Sequence, residues 1–272
     1  RFFSYLIVYR NSTSLKDVTY DDCRAFVLYL IDQKIEPKTI NCYISTLVKL
    51  FYCVRHESFD IREVPYQKID IHLPIAISPE DFAILYKACE TPLEKAFLCF
   101  LFFPGMRISE VLSSKFCDIK RKDSLVHVGP SKGRQDRYTL ICQSALEELE
   151  FYYRDLYKDA PKPTADTLIF MKHQKSNNQL VPMTYEDARI LLNRILERAG
   201  MTDKGYTLHS FRHGFALELY LSTHDLVLVA TVLGHKHLSA TEIYVRLSAT
   251  YKIQECNINN PLDAALKNQR EL

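Results

Sequence analysis

The sequence lacks any pair of cysteines at the close spacing that zinc sites and redox motifs use, although it contains eight cysteines. They are scattered along the chain, and most fall within apolar helical patterns. They are Cys23, Cys42, Cys53, Cys89, Cys99, Cys117, Cys142 and Cys256. Isolated cysteines of this kind usually serve as small core residues in a reducing compartment. We therefore expect neither a disulfide framework nor a zinc site.

Long apolar runs are also missing. The stretch 98–103 is strongly apolar, and the uninterrupted apolar run that contains it, 96–103, has eight residues, whereas a membrane-spanning helix needs roughly 20. The start of the chain does not have the basic, apolar and small-residue pattern of a secretion signal. These absences predict a soluble, intracellular protein. Arg1 stands where an initiator Met is usual, and apolar residues follow at once. We therefore also expect that the chain was trimmed and that an N-terminal segment precedes Arg1.

Net charge excludes few partners. Lys and Arg number 35 against 33 Asp and Glu, which gives a formal charge of +2 at pH 7. This balance neither requires nor excludes nucleic acid as a partner. Basic residues cluster locally, at 120–122 and at 132–137. A solvated loop explains each cluster equally well, so charge alone does not assign a partner.

Helical periodicity dominates the N-terminal part of the chain. Apolar residues recur at three- and four-residue spacing in the segment 19–33, with Thr19 and the two aspartates at 21 and 22 as candidate caps. A second helix is predicted after Pro37, with Thr39 as its cap. The N-terminal part is therefore predicted to be all helical.

Weaker periodicity marks a boundary between two domains. In the segment 60–78 the apolar repeat fades, and Pro65 and Pro74 interrupt the backbone. A chain of 272 residues is long enough for two domains. We expect a helical domain at 1–72 and a second domain at 73–256.

The second domain is predicted to mix helices with a few strands. Ser78-Pro79-Glu80 has the sequence of a helix start, with a cap, a proline in the first turn and an acid near the positive end of the helix dipole. Two short alternating runs, at 125–128 and 137–142, predict a β-hairpin with a basic tip. The remaining apolar repeats predict helices at 79–89, 92–103, 108–112, 143–157, 185–199, 210–221, 225–232 and 239–246. The predicted fold class is mainly α with a small β-hairpin or sheet.

Three short stretches concentrate groups that bind phosphate or transfer protons. They are Pro-Gly-Met-Arg-Ile-Ser-Glu at 104–110, Leu-His-Ser-Phe-Arg-His at 208–213, and Leu-Gly-His at 233–235, the last followed by Tyr244. Gly105 can end the preceding helix so that Arg107 projects from the start of the next one. His209 and Arg212 are three residues apart and so share a helix face. We expect these groups to converge on one ligand.

Displacement at a phosphodiester is the chemistry that needs such a set. Two guanidiniums, Arg107 and Arg212, can hold both non-bridging oxygens and stabilise the charge of a pentavalent transition state. A tyrosine hydroxyl has an ordinary pKa of about 10, so a nucleophilic tyrosine needs a base and a cationic pocket. Tyr244 is the candidate nucleophile and His209 the candidate base. Each residue alone is a weak indication, since the chain has 17 tyrosines.

Together these residues resemble the active-site boxes of the tyrosine recombinase or phage integrase family, and the resemblance covers nearly the whole chain. The family's Gly-Met/Leu-Arg-Ile-Ser-Glu box matches 105–110, and its His-x-x-Arg box matches 209–212. Its Leu-Gly-His motif matches 233–235, and its nucleophile follows nine residues after that histidine. The resemblance implies a catalytic set of Arg107, Lys132, His209, Arg212, His235 and Tyr244, with Glu110 in a supporting role.

The catalytic lysine of the family lies in the hairpin, usually within Gly-Lys-Gly. The matching stretch is Gly-Pro-Ser-Lys-Gly-Arg at 129–134, which implies Lys132. The Pro-Ser pair before that lysine departs from the family pattern. Lys122, Arg134 and Arg137 therefore remain alternatives for this role.

The N-terminal helices resemble the family's core-binding domain, a helical bundle that clasps the opposite side of a DNA duplex. The second domain resembles the family's mixed α/β catalytic domain. Lys38, Asn41 and Lys49, near a Pro-x-Thr-Ile-Asn helix start, and Arg134 in the hairpin are candidate DNA contacts. Such contacts go chiefly to phosphates and position the protein rather than read base sequence. A solvated helix face is an equally good interpretation of the first three.

The resemblance implies a site-specific DNA recombinase of the Xer-like or the mobile-element type. Tyr244 would attack a scissile phosphate, form a 3′-phosphotyrosyl link and free a 5′-hydroxyl, with no metal, nucleotide or other cofactor. The implied partners are double-stranded DNA, a tetramer of the chain on paired sites, and accessory proteins. The tail at 257–272 is expected to be a helix that passes to a neighbouring protomer, and folding back on its own domain is the alternative. The implied location is the cytoplasm of a bacterial or archaeal cell.

Other residues and other functions compete with this interpretation. His213 lies four residues after His209, a spacing that metal ligands also use, but no acidic third ligand stands in register, and we expect no metal site. His237 is expected in a polar turn, and Tyr251 is the rival nucleophile. A metal-dependent phosphodiesterase would lose activity with a chelator, and a DNA-binding regulator would require a broken catalytic set. A type IB topoisomerase shares the same chemistry.

Overall fold

Contacts along the chain separate it into two units, residues 1–72 and 73–272. The computed structural model describes residues 1–11, 14–69, 73–130, 136–158, 162–174 and 179–249. In these described ranges, no helix combines the length and the apolar character that crossing a membrane requires. Helices predominate and the strands are short and antiparallel, so the predicted fold class is confirmed.

Helices build the first unit. They are α1 (Phe2–Arg10), α2 (Tyr20–Asp32) and α3 (Pro37–Leu50), and α3 continues in a wider π-helical turn at Phe51–Arg55. Their apolar faces meet in one cluster in which Phe26 and Ile44 are fully buried. The predicted cap of α2 is confirmed. The hydroxyl of Thr19 accepts from the backbone N–H of Asp22 at 3.3 Å, and the Asp22 carboxylate accepts from that of Thr19 at 2.9 Å.

Two features of this unit differ from the sequence prediction. Helix α1 is not delineated by the sequence pattern, because apolar residues lie on all of its sides: Leu6 is buried whereas Val8 and Tyr9 are exposed. Helix α3 begins at Pro37, so Thr39 lies inside the helix and the prediction that it is the cap is wrong. Proline suits the first helical position, since its φ is already helical and its missing N–H would have no intrahelical partner.

The second unit is built around a buried helix. Its described helices are α4 (Pro79–Lys87), α5 (Pro92–Phe102), α6 (Ile108–Ser113), α7 (Gln143–Leu156), α8 (Tyr185–Arg198), α9 (Leu208–Thr223), α10 (Leu226–Leu233) and α11 (242–249). Every residue from 96 to 102 in α5 is buried. Helices α7 and α9 pack against α5, so the helix that precedes the first motif is held from several sides.

Short strands cover part of this core. They are β1 (Ile119–Lys120), β2 (Leu125–Val128), β3 (Arg137–Leu140), β4 (Met171–His173) and β5 (Leu180–Pro182). The first three form an antiparallel sheet in chain order, and β4 pairs with β5. Val128 pairs with Arg137, which confirms the predicted hairpin. Its tip at 131–135 lies outside the described residues. Strands β1, β4 and β5 are too short for alternation to be visible in the sequence.

The remaining differences concern helix ends and cysteines. Helix α9 starts two residues before the predicted position, because the N–H of Thr207 donates to the hydroxyl of Ser210 at 3.1 Å and closes the first turn. The predicted helix at 239–246 is a short turn at Leu238–Ala240 followed by α11. Among the seven cysteines within the described residues, three are buried and three are exposed. The expectation of core cysteines therefore fails for the three exposed ones, Cys42, Cys53 and Cys117, whereas Cys142 is partly buried and packs against the core.

Candidate active site

The turn between α5 and α6 places Arg107 at a helix start. Gly105 has a left-handed backbone with φ of +58°, and a Cβ there would lie 2.0 Å from the ring of Phe215. Only glycine fits that position. Arg107 then caps α6, and its backbone N–H and its Nη1 donate to the carboxylate of Glu110 at 2.8 and 3.0 Å. The helix break that the sequence predicts at Gly105 is confirmed.

A buried carboxylate joins this turn to the sheet. Glu110 is 7% exposed, and Arg137, the first residue of β3, donates Nη1 and Nη2 to its two oxygens at 3.1 and 2.8 Å. Burial raises the pKa of Glu110, but hydrogen bonds from Arg137 and from the backbone of Arg107 outweigh it and lower that pKa to about 2. Glu110 is therefore ionised at neutral pH and supplies the counter-charge for these guanidiniums.

Arg212, on α9, lies beside this carboxylate with its guanidinium buried. It donates Nη1 to the carbonyl of Gly105 at 2.8 Å and Nη2 to the carbonyl of Leu233 at 2.7 Å. Its Nη1 lies 3.9 Å from Oε2 of Glu110. Burial, followed by the charge of Arg107, lowers the pKa of Arg212 to about 9, so the group remains a cation at neutral pH. Its two carbonyl contacts fix the direction in which it presents its remaining donors.

The turn after α10 brings His235 to Arg212. Gly234 ends the helix with φ of +66°, and Cδ of Arg137 lies 2.9 Å from where a Cβ at Gly234 would stand. Nε2 of His235 lies 3.1 Å from Nη2 of Arg212, and Nδ1 of His235 lies 2.8 Å from the hydroxyl oxygen of Thr241. Because a guanidinium can only donate, Nε2 is the acceptor and Nδ1 carries the proton. These contacts hold the imidazole in one tautomer and one orientation.

Tyr244 lies on α11, and its hydroxyl contacts His213 on α9. Tyr244 is 2% exposed, and its Oη lies 3.1 Å from Nδ1 of His213. Burial raises the pKa of Tyr244 to about 12, against the lowering effect of Arg212 and Arg107. Burial also lowers the pKa of His213 to about 4, and the electrostatic effects of a protonated His209 and of Arg212 act in the same direction. At neutral pH the pair is therefore a phenol beside a neutral imidazole.

His209, the predicted base, occupies a different position. It lies in the first turn of α9 with its side chain exposed, and its ring centroid is 6.0 Å from that of His213. Desolvation lowers the pKa of His209, and Arg212 and Arg107 lower it further, so the ring is neutral and able to accept a proton. Within the described ranges, no hydrogen bond joins His209 to Tyr244.

The structure brings most of the predicted catalytic set into one region of the second unit. The residues that meet there are Arg107, Glu110, His209, Arg212, His235 and Tyr244. Lys132, Arg134, Tyr251 and the tail at 257–272 lie outside the described residues. Of the alternatives to Lys132, Lys122 is exposed in a short turn, whereas Arg137 points inward to Glu110. The catalytic role of each residue stays a prediction.

The candidate DNA contacts of the first unit lie on α3. Lys38 and Lys49 are exposed, as a phosphate contact requires. The side chain of Asn41 is engaged within the unit, because its Nδ2 donates to the carbonyl of Gln67 at 2.9 Å and its Oδ1 accepts the N–H of Gln67 at 2.7 Å. Asn41 therefore ties α3 to the connecting segment, and its contact with DNA remains a prediction.

Two residues of the site have other expected roles in the sequence, Arg137 as an alternative to Lys132 and His213 as a competing metal ligand, and neither belongs to the predicted catalytic set. Arg137 opens the predicted strand directly after the hairpin tip, but a strand pattern does not show that its side chain turns toward Glu110. His213 lies one helical turn after His209 and so on the same face. That spacing indicates that the two histidines lie close together, but it is equally typical of two metal ligands. Its partner Tyr244 is 31 residues away, so the contact depends on how α9 packs against α11.

We expect Glu110→Gln to lower the free energy of unfolding by roughly 3 kcal/mol, because it leaves the buried guanidinium of Arg137 without its carboxylate. Chemical denaturation at pH 7 measures the loss. The matched control is Glu150→Gln, which removes the exposed carboxylate that contacts Arg121. That variant should lose less than about 1 kcal/mol. Equal losses in both variants would contradict the structural role of Glu110.

The difference in the free energy of unfolding between the wild-type protein and Glu110→Gln should depend on pH. The pKa of Glu110 is lowered from its ordinary 4.5 to about 2 on folding, so its ionised form stabilises the fold fully above pH 4.5. This contribution disappears as pH falls through the folded value. The stability difference between the wild-type protein and Glu110→Gln should therefore narrow between those two pH values. A difference that stays constant there would show that the carboxylate is not the source.

Comparison with known proteins identifies the family. The family model described as the phage integrase family matches residues 76–250. The tyrosine recombinase XerC of Oceanobacillus iheyensis is 29% identical, with 86% of this chain and 78% of that protein covered. The tyrosine recombinase XerD of Rickettsia bellii is 26% identical, with 96% of this chain and 89% of that protein covered.

Solved structures share the fold. One is the XerH site-specific recombinase bound to a palindromic difH substrate in a post-cleavage complex. Its TM-score is 0.70 and its sequence identity 23%, and the match covers 93% of this chain and 76% of the XerH chain. Another is the Tn1549 transposon integrase in complex with transposon right end DNA. Its TM-score is 0.70 and its sequence identity 18%, and the match covers 94% of this chain and 91% of the integrase chain. At these identities the likeness establishes the fold. Because the family model spans more than half of the sequence, the chain belongs to the phage integrase family and is a tyrosine recombinase.

Proposed function

We propose that this chain is a site-specific recombinase that cleaves and rejoins duplex DNA through a covalent link between Tyr244 and a 3′-phosphate. The observation that carries this proposal is the meeting of Arg107 and Arg212 at one buried carboxylate, with His235 bound to Arg212 and Tyr244 on α11. Both arginines act on the phenol, since each of them lowers its pKa. Membership of the tyrosine recombinase family supports the same conclusion.

The guanidiniums of Arg107 and Arg212 form the proposed binding site for the scissile phosphate. A guanidinium has five N–H donors, and the contacts of Arg212 with Gly105, Leu233 and His235 use only part of them. The remaining donors would bind a phosphate, and because Arg212 is only 4% exposed, the site has to open before a phosphate can reach them. Negative charge on the non-bridging oxygens increases in the transition state, so fixed donors stabilise that state more than the ground state. Loss of one such donor costs about 3 kcal/mol of transition-state stabilisation.

Bond making and bond breaking balance in the proposed reaction. Oη of Tyr244 forms a bond to phosphorus, the bond from phosphorus to the 5′-oxygen breaks, and the phenolic proton passes to a base, for which His209 is the candidate. Lys132 protonates the leaving 5′-oxygen. In rejoining, the 5′-hydroxyl of a partner strand attacks the phosphotyrosine and Tyr244 recovers its proton. The phosphodiester bond energy is conserved, so the residues of the chain account for the reaction without a nucleotide or another cofactor.

Burial sets one condition on this reaction. Tyr244 is 2% exposed, so its hydroxyl has to leave its pocket before it reaches a phosphate on the surface of a duplex. Arg212 is buried as well, so the phosphate can contact it only when the site opens, and its hydrogen bonds to Gly105 and Leu233 keep its orientation fixed. Movement of α11 relative to α9 is the simplest change that would bring the nucleophile to the phosphate.

The wider assembly is part of the same proposal. We propose that Lys38 and Lys49 contact DNA phosphates, that Arg134 contacts DNA from the hairpin, and that four copies of the chain assemble on paired sites. Exchange of the tail at 257–272 between copies would link their active sites. The proposed compartment is the cytoplasm, where bacterial and archaeal DNA resides. Relatives described as DNA-bound recombinases support the DNA partner.

Tyr244→Phe is expected to keep DNA affinity and to lose covalent attachment, because only the hydroxyl is removed while the phosphate contacts remain. The protein is incubated with genomic or element-end DNA, and covalent adducts are separated on denaturing gels and mapped by sequencing the attached ends. Tyr251→Phe is the matched control, and it should form adducts at the wild-type level. An adduct that persists in Tyr244→Phe would assign the nucleophile elsewhere.

Lys132→Ala is expected to slow cleavage of ordinary DNA and to recover substantially on a substrate whose bridging 5′-oxygen is replaced by sulfur. A thiolate leaves without a proton, so the general acid becomes dispensable. Single-turnover cleavage rates on the two substrates measure the rescue. Lys122→Ala and Arg134→Ala are the controls. Rescue in either of these variants, and not in Lys132→Ala, would place the general acid at that position instead.

A further inference from the structure

We propose that His213, rather than His209, is the histidine that positions the hydroxyl of Tyr244, and that this contact holds the nucleophile in its pocket in the absence of DNA. The proposal rests on the proposed function only in taking Tyr244 as the nucleophile. It adds a residue that neither the motif spacing nor the proposed reaction assigns to this task.

The contact between the two side chains is direct. Oη of Tyr244 lies 3.1 Å from Nδ1 of His213, and the two ring centroids are 6.0 Å apart at an angle of 49°. In the described part of the chain, His213 is the hydrogen-bond partner of that hydroxyl. The phenol ring belongs to an apolar cluster with Ala216, Leu217 and Leu247. The ring is therefore held by packing, and its single polar atom is held by His213.

The pKa values of Tyr244 and His213 explain why the phenol does not lose its proton in this pocket. Burial moves the pKa of Tyr244 up to about 12 and the pKa of His213 down to about 4. A proton transfer between groups whose pKa values lie so far apart is strongly unfavourable, so the contact joins two neutral groups. Arg212, the cation with the larger lowering effect on the pKa of Tyr244, is turned toward Gly105, Leu233 and His235 by its hydrogen bonds. The phenol therefore stays protonated in this pocket.

His209 occupies a place suited to a different task. It is exposed at the start of α9, and its ring centroid lies 6.0 Å from that of His213. It can meet a phosphate or exchange a proton with solvent, whereas His213 is partly buried between His209 and Tyr244. The two histidines thus have different roles. His213 positions the hydroxyl of Tyr244 in its pocket, and His209 remains available as a base once the hydroxyl has left.

The test measures how fast Tyr244 reacts with N-acetylimidazole in the full chain without DNA, with each modified tyrosine identified by mass spectrometry. The matched pair of variants is His213→Gln and His213→Asn. The Asn amide can place a polar atom near the position of Nδ1, whereas the longer Gln amide mimics Nε2 instead. We expect His213→Gln to raise the modification rate of Tyr244 roughly two- to tenfold, the factor that corresponds to one neutral hydrogen bond. His213→Asn should stay close to the wild-type rate.

An internal standard separates positioning from loss of structure. Tyr152 is as buried as Tyr244, and its hydroxyl contacts the backbone of Met171, so its modification rate should stay low in every variant. His213→Leu keeps the packing and removes both nitrogens. It should raise the modification rate of Tyr244 as His213→Gln does, and it replaces that variant if the Gln side chain disturbs the fold. His209→Leu should leave the rate at Tyr244 unchanged.

Three results would overturn the proposal. They are an unchanged rate at Tyr244 in both His213→Gln and His213→Leu, an equal rise in His213→Asn and His213→Gln, and a rise in His209→Leu. Because the labelling uses no DNA, it does not depend on whether Tyr244 becomes attached to DNA. A failure of the proposed function would instead appear as an adduct that persists in Tyr244→Phe.

Discussion

The placement of three guanidiniums around one buried carboxylate is the constraint on which the rest of the site depends. Arg107 and Arg137 bind Glu110 directly, and Arg212 lies 3.9 Å from the same carboxylate. Like charges this close repel each other strongly away from water, so the ionised carboxylate is what allows the cluster to persist. Three positive charges against one negative charge still leave an excess of positive charge. That excess is what a phosphodiester needs as its oxygens gain charge during displacement.

The same carboxylate links segments that are far apart in sequence. Through Glu110 the turn at Gly105 is connected to β3, and through Arg137 the sheet is connected to the turn at Gly234. Arg137 also donates Nε to the carbonyl of Val232 at 2.9 Å, near the end of α10. The hairpin that carries Lys132 begins and ends on this frame, since Val128 pairs with Arg137. The hydrogen-bonded arginines around Glu110 and the buried Tyr244, which contacts His213, are therefore held by separate sets of contacts.

Much of the fold and of the site is predictable from the sequence, because the relevant signals are local. Capping residues such as Thr19 and Ser78 mark helix starts, and the hairpin follows from alternation around a turn. The resemblance to the family's short motifs implies Arg107, His209, Arg212, His235 and Tyr244 as the site residues. The start of α3 is mispredicted because both Pro37 and Thr39 are acceptable start signals, and proline, whose φ is already helical, takes the first position.

Contacts between distant segments are what the sequence does not contain. Arg137 is an ordinary strand residue until β3 is placed beside α6, and His213 is an ordinary helix residue until α11 is placed beside α9. Asn41 has the sequence context of a DNA contact, but Gln67 uses both ends of its amide. In each case the side chain is the same in any environment, and the tertiary neighbour decides what it does. Burial adds a second effect, since it moves the pKa values of Tyr244 and His213 in opposite directions.

The most direct test of the account is a double-mutant cycle on Glu110 and Arg137, measured as the single-turnover rate of covalent attachment to DNA at equal occupancy. If the carboxylate and Arg137 act together to hold the cations in place, Glu110→Gln, Arg137→Gln and the double variant should all lose rate by similar factors. The coupling energy should then lie in the range of about 0.5–3 kcal/mol that interacting neighbours show. Losses that multiply in the double variant would show that the two residues act independently, which would contradict the central role of the buried carboxylate.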